Sequence, residues 1–260
     1  MAALASHFLD ALPPAALARL ARLGVAQGTN ALVPEGEDGD QGNNILSLDW
    51  PELERALPDR GFPRGVVEIA SRITTPSGGR TQGVMRGGAT TISLSAVRAV
   101  HAADPRAWCA WITETNAPPL YAPAVAQAGV DLDRLLVVRP QPADLARTVV
   151  KVAASGAFDL VIIDAPAGLD GKLSLAEARA KSPARVDGSV VVRKLALAAE
   201  EKGTTFLILT NIFTSRSRSA WPWPVALRLE VERRPEAIAV RVTKDRRGRE
   251  SSTHVVRVAC

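Results

Sequence analysis

Residues 83–90 read Gly-Val-Met-Arg-Gly-Gly-Ala-Thr, with Gly83 and Gly88 five positions apart and Thr90 at the start of a helical pattern. Glycines at that spacing let backbone N–H groups approach a phosphate, and a following helix adds positive potential at its N-terminus. A threonine hydroxyl at Thr90 is the group that holds Mg²⁺ beside a nucleotide. The lysine that reaches the outer phosphates in such a turn is missing, and Ala89 stands in its place. Arg80 and Arg86 are nearby cations outside that position. A rival register, Gly79-Arg80-Thr81, has no helix behind it, because Gly83, Gly87 and Gly88 intervene. A glycine-rich surface loop is the competing reading of the whole stretch.

Three further groups carry candidate chemistry. Asp164 closes the apolar run Leu160–Ile163. A carboxylate at the C-terminal end of a buried parallel strand sits at the ligand crevice of the sheet, where it orients water on Mg²⁺; an acidic cap of the next turn is the alternative. Glu114 ends the strand-like segment Ala107–Thr113 and is a candidate to polarise an attacking water, or a solvated strand-end charge. Tyr121, the chain's single tyrosine, suits stacking on a base or ordinary packing.

Residues 212–224 join Arg216, Arg218, Trp221 and Trp223 in one loop. Guanidinium plus indole suits single-stranded nucleic acid, through phosphate contact and base stacking, and equally a protein hot spot or a loop anchored on its own core. Lys244-Asp245-Arg246-Arg247-Gly248-Arg249 forms a basic hairpin tip, a type that is mostly a solvated turn.

The elements that must position these groups follow from periodicity. Residues 1–24 read as helix interrupted at Pro13-Pro14, 25–45 as a polar linker, and 50–60 as a short helix. Strands are expected at 65–70, 107–113, 134–139, 158–164 and 205–210. Helices are expected at 90–103, 118–129, 142–155 and 190–202. Such alternation predicts a parallel sheet with right-handed crossovers. After Trp223 the pattern turns to strict alternation at 226–233, 237–243 and 253–259, which predicts antiparallel strands appended to the sheet.

Composition bounds the rest. The chain has 260 residues, 47% hydrophobic and 23% charged, and a formal net charge of +5, ordinary for a globular domain. No apolar run approaches the length of a membrane span, and no basic n-region marks a signal peptide. Cys109 and Cys260 cannot form a disulfide framework, and His7, His101 and His254 are scattered, so a reducing cytoplasm is the expected compartment. Residues 31–60 carry eight acids against Arg55 and Arg60, and 211–260 carry eleven cations against five acids. That asymmetry fits a polyanion at the basic end or a solvated surface.

Taken in order, the elements resemble the RecA family, and within it the RecA-like ImuA branch of bacterial mutagenesis cassettes, over about residues 45–258. GFPRGVVEIA is similar to the strand leading into the family's P-loop. LYAPAVAQAGVDLDRLLVVRP is the most specific stretch, followed by SGAFDLVIIDAPAGL, FLILTN, ALRLEVERR and AVRVTKDR. The resemblance implies an α/β RecA-like P-loop NTPase core at 46–260, a mostly parallel sheet flanked by helices with antiparallel C-terminal strands, behind a helical arm and linker at 1–45.

It also implies roles. Gly83, Gly88, Ala89, Thr90 and Thr91 fall on the nucleotide turn. Glu114 falls on the water-activating glutamate, Tyr121 on the adenine-stacking aromatic and Asp164 on the Mg²⁺-orienting aspartate. Lys244 and Arg246 fall on a basic pair that reaches a neighbouring subunit's nucleotide. Residues 165–190 and 212–224 correspond to the two DNA loops. Ala89, the insertion at 71–82, Ile212 in place of the sensing glutamine, and the short Trp/Pro-rich second loop depart from the family. They imply a scaffold that has lost its motor: not an enzyme, with ATP and Mg²⁺ (through Thr90 and Asp164) bound weakly if at all.

The expected function is accessory to SOS-induced translesion DNA synthesis. The expected partners are an ImuB-like homologue of Y-family polymerases, RecA and single-stranded DNA, with self-association and no membrane, in the cytoplasm at the nucleoid. A SulA-like division inhibitor and a RecA-type DNA-dependent ATPase are the alternatives.

Overall fold

The computed structural model describes residues 45–72, 88–165, 169, 187–212 and 224–258. The expected N-terminal arm lies outside them, save Ile45, which opens a short strand. So do residues 73–87 and the Arg216–Trp223 segment.

In chain order the elements are β1 (Ile45–Leu46), α1 (Pro51–Ala56), β2 (Phe62–Pro63), β3 (Val66–Arg72), α2 (Ala89–Ala103), β4 (Cys109–Thr113), α3 (Ala122–Gln127), β5 (Leu135–Val138), α4 (Leu145–Ser155), β6 (Leu160–Asp164), α5 (Gly188–Lys202), β7 (Thr205–Ile212), β8 (Leu227–Arg234), β9 (Ala237–Asp245) and β10 (His254–Arg257). Eight described strands form one sheet in the order β10-β9-β8-β3-β7-β6-β4-β5, and β1 pairs β2 separately. From β8 to β5 the pairings are parallel. The C-terminal strands are antiparallel to one another, as expected. The reversal begins at β9, because β8 itself docks on β3 in parallel.

Periodicity explains the layers. In α2, Ile92, Ala96, Val97 and Val100 are buried and join Val67, Ile69, Trp111, Leu160 and Ile162 on one face of the sheet. In α4, Leu145, Val149 and Ala153 recur every fourth residue. With Val191, Val192 and Leu195 of α5 they cover Ala110, Ile112, Val161, Ile163 and Phe206 on the other face. The run Leu160–Asp164 is buried throughout, as a central parallel strand requires.

Two predicted helices are shorter than expected. Residues 118–129 give only the six-residue α3, since Pro118, Pro119 and Pro123 withhold backbone donors. Residues 142–144 form a 3-10 turn before α4. The β10 edge is guarded: Arg257 N–H donates to Glu52 Oε2 on α1 at 2.8 Å. The β5 edge carries Leu136 and Val137, both exposed. No helix among the described residues is long and apolar enough to cross a membrane.

Candidate functional site

Thr113, Glu114 and Asp164 stand at the carboxyl edge of the parallel strands. Thr113 of β4 is the register partner of Asp164 on β6, and its hydroxyl donates to Asp164 Oδ2 at 3.5 Å. Asp164 is 3% exposed. Strand alternation turns both side chains to the α2 face, since Leu160, Ile162 and Trp111 lie there.

Glu114 follows directly. Burial, and then the charge of Asp164, push its carboxyl above the usual carboxylate range. The loop behind it is braced: Arg139 Nη2 donates to Thr115 O at 2.7 Å and Ala117 O at 2.6 Å. Thr115 Oγ1 donates back to Arg139 O at 2.8 Å. Tyr121 is 71% exposed at the N-terminus of α3, so packing does not account for it.

α2 begins at the same edge. Gly88 caps it at φ 93°, and a Cβ there would lie 2.8 Å from Ile238 Cδ1. Both the left-handed backbone and the close approach therefore require glycine. Among the described residues no side chain caps the helix, and no acid sits in its first turn. Ala89 is 3% exposed and part of the core, whereas Thr90 and Thr91 are half-buried. Gly83 lies outside the described residues.

Gly88 at the start of α2 meets Ile238 on β9, whereas Asp164 stands on β6, four places along the sheet, and position 89 carries no cationic side chain for a phosphate. Among the described residues no group of three or more His, Cys, Asp or Glu could hold a metal ion by itself.

Lys244 and Arg246 lie elsewhere. β9 runs antiparallel, with Asp245 opposite Leu227 at the start of β8 and Ala237 opposite Arg234 at its end. The basic pair is thus at the amino edge, opposite to Asp164 and Glu114. Arg246 N–H donates to Ala226 O at 2.9 Å, and its guanidinium meets Glu200 of α5 at 3.5 Å, both exposed. The tip is not simply solvated: Arg249 is tied to Asp59 and Asp245. Its hydrogen bond to Asp59 holds that carboxyl below the usual range.

Sequence reasoning assigned no role to Glu68, Thr210 and Arg228. Glu68 is 2% exposed; Arg228 Nε donates to its Oε2 at 2.6 Å and Thr210 Oγ1 to its Oε1 at 3.0 Å. Lys244 stands opposite Arg228 in register. Burial, and then the charge of Arg228, lower its ammonium's affinity for the proton, while Glu68 opposes the change. The signal in the sequence was a glutamate inside the apolar strand VVEIA.

Comparison with known proteins follows the same outline. Residues 18–216 match the family model described as the RecA N-terminal domain. The chain is 29% identical over 199 residues to Protein RecA of Nocardia farcinica, covering 74% of this chain and 52% of that protein. It is 31% identical over 191 residues to Protein RecA of Lactococcus lactis subsp. cremoris, covering 71% and 45%. With Protein RecA of Deinococcus radiodurans the identity is 28% over 192 residues, covering 72% and 48%. The chain spans about half the length of the curated relatives it matches.

Proposed function

This chain belongs to the RecA N-terminal domain family, and from that premise we propose that it is a RecA-like accessory protein of damage-induced, mutagenic translesion DNA synthesis, of the ImuA kind. It acts by binding rather than by turnover. The observation that carries the reading is Ala89: the glycine-capped helix start is kept, and the counter-charge for phosphoryl transfer is absent. In-line transfer depends on such cations to neutralise developing charge, so ATP and Mg²⁺ bind weakly and hydrolysis is at background. Asp164, Glu114 and Tyr121 are the remnants of the site, and their retention favours this reading over a SulA-like binding protein.

Its partners are an ImuB-like Y-family homologue, RecA and single-stranded DNA, in the cytoplasm. DNA or partner contact runs through Arg216, Arg218, Trp221 and Trp223. Self-association is supported by the open β5 edge, with exposed Leu136 and Val137, and by Lys244 and Arg246 standing at the sheet edge opposite Asp164, a head-to-tail disposition. The deciding experiment is a pull-down with ImuB and RecA, with and without single-stranded DNA, alongside an ATPase assay. Capture of ImuB without turnover is expected. Robust DNA-stimulated hydrolysis would refute the reading in favour of a RecA-type ATPase.

A further inference from the structure

The turn at 244–250 holds four cations and two acids, yet its charge is largely cancelled in the fold. Asp59, from the connection between α1 and β2, accepts from Arg249 through both oxygens: Nη1 to Oδ1 at 2.9 Å and Nη2 to Oδ2 at 2.8 Å. Arg247 Nη1 converges on the same Oδ1 at 3.5 Å. Two guanidinium groups meeting on one carboxylate reproduce the way arginine forks hold a phosphate.

Asp245 and Asp59 differ in what they do. Asp245 is 5% exposed at its side chain and takes Arg249 Nε at 2.7 Å, while Pro58 O takes Nη1 at 3.3 Å. These contacts aim the fork whether or not Asp59 is there. Asp59 is more open, at 25%, and Arg247 is 69% exposed, so solvent reaches the place where the carboxylate sits.

We infer that Arg247 and Arg249 form a binding site for a phosphate-bearing ligand, kept closed by Asp59, which an incoming phosphate displaces. A single small anion competes poorly with a tethered, bidentate carboxylate. A chain of phosphates has a second point of attachment at the exposed Arg246, and that offsets the loss of Asp59. The fork is built from Arg247 and Arg249, with Arg246 as its outer contact, and does not depend on the family reading. Free polyphosphate and a nucleic-acid backbone share the chemistry it recognises.

The test titrates the full chain, as wild type, Asp59→Asn, Arg247→Ala and the double variant, with pyrophosphate and with a fluorescent oligothymidylate at several salt concentrations. Asp59→Asn is expected to tighten binding and to steepen the salt dependence of oligothymidylate affinity by about 1.4 log units per log unit, two freed cations on a single strand. Adding Arg247→Ala removes about half of that gain. A gain with both probes assigns the site to polyphosphate in general; a gain with oligothymidylate alone assigns it to the backbone. Unchanged or weaker binding by folded Asp59→Asn overturns the proposal. Should Asp59→Asn not fold, Arg247→Ala in the otherwise native chain decides: a shallower salt slope supports the site, and an unchanged one overturns it.

Discussion

A lysine at position 89 would place an ammonium on the first turn of α2, where side chains lean back toward the helix N-terminus and any bound phosphate. Ala89 is packed in the core, so the longer stem displaces neighbours. Ala89→Lys is therefore expected to tighten a fluorescent ATP analogue while lowering the melting temperature, read by titration and thermal unfolding of one preparation. At Glu68 the expectation concerns stability alone. Glu68→Ala leaves the buried Arg228 without its carboxylate, and loss of one partner of a buried pair costs about 3–5 kcal/mol. Urea unfolding that differs from wild type by less than about 1 kcal/mol would show that water or a neighbour replaces the carboxylate.

At the scale of elements, the first turn of α2 carries the argument, because it offers the helix start to the carboxyl edge. Ile92 anchors that turn: its N–H donates to Gly88 O at 3.1 Å and its side chain is fully buried. Ile92→Ala is expected to cost about 2–4 kcal/mol from lost burial and a residual cavity. Val190→Ala on α5, where the side chain is 45% exposed, should stay within about 0.5 kcal/mol. Chemical denaturation of both variants checks the contrast. α5 has its own stops. Asp187 accepts from Ser189 N–H at 2.9 Å at the start, and Gly203 at φ 69° ends it. Both stops are legible in the sequence as residue types, since caps act within a few residues.

For the whole molecule, acid sensitivity follows from His101, which is 5% exposed. Burial, and then the charge of Arg134, lower its affinity for a proton. The unfolded chain therefore binds the proton first as pH falls below the ordinary histidine value of about 6.5, and stability drops with it. The drop ends at the lower pH where the folded histidine itself protonates. Denaturation midpoints are expected to fall between pH 7.5 and 5.5, and less so in His101→Asn. An equal fall in both would assign the loss to other groups.

What the sequence alone determined is the class of each segment and its order. Burial is written in local periodicity: two along part of β8, nearly four for α4, and an unbroken apolar run for β6. Those patterns, with the motif order, sufficed for a parallel sheet with antiparallel C-terminal strands. Asp164 and Glu114 were legible as strand-end carboxylates because a strand end is a local feature. The tertiary structure alone decided which strand lies beside which. Placing β3 between β7 and β8 joins Glu68 to Thr210 and Arg228, partners 142 and 160 residues away, and the turn after β9 reaches Asp59 across 190 residues. The same strand direction carries Lys244 and Arg246 to the edge opposite Asp164. Contacts over such separations depend on the path of the whole chain, and no local spacing encodes them.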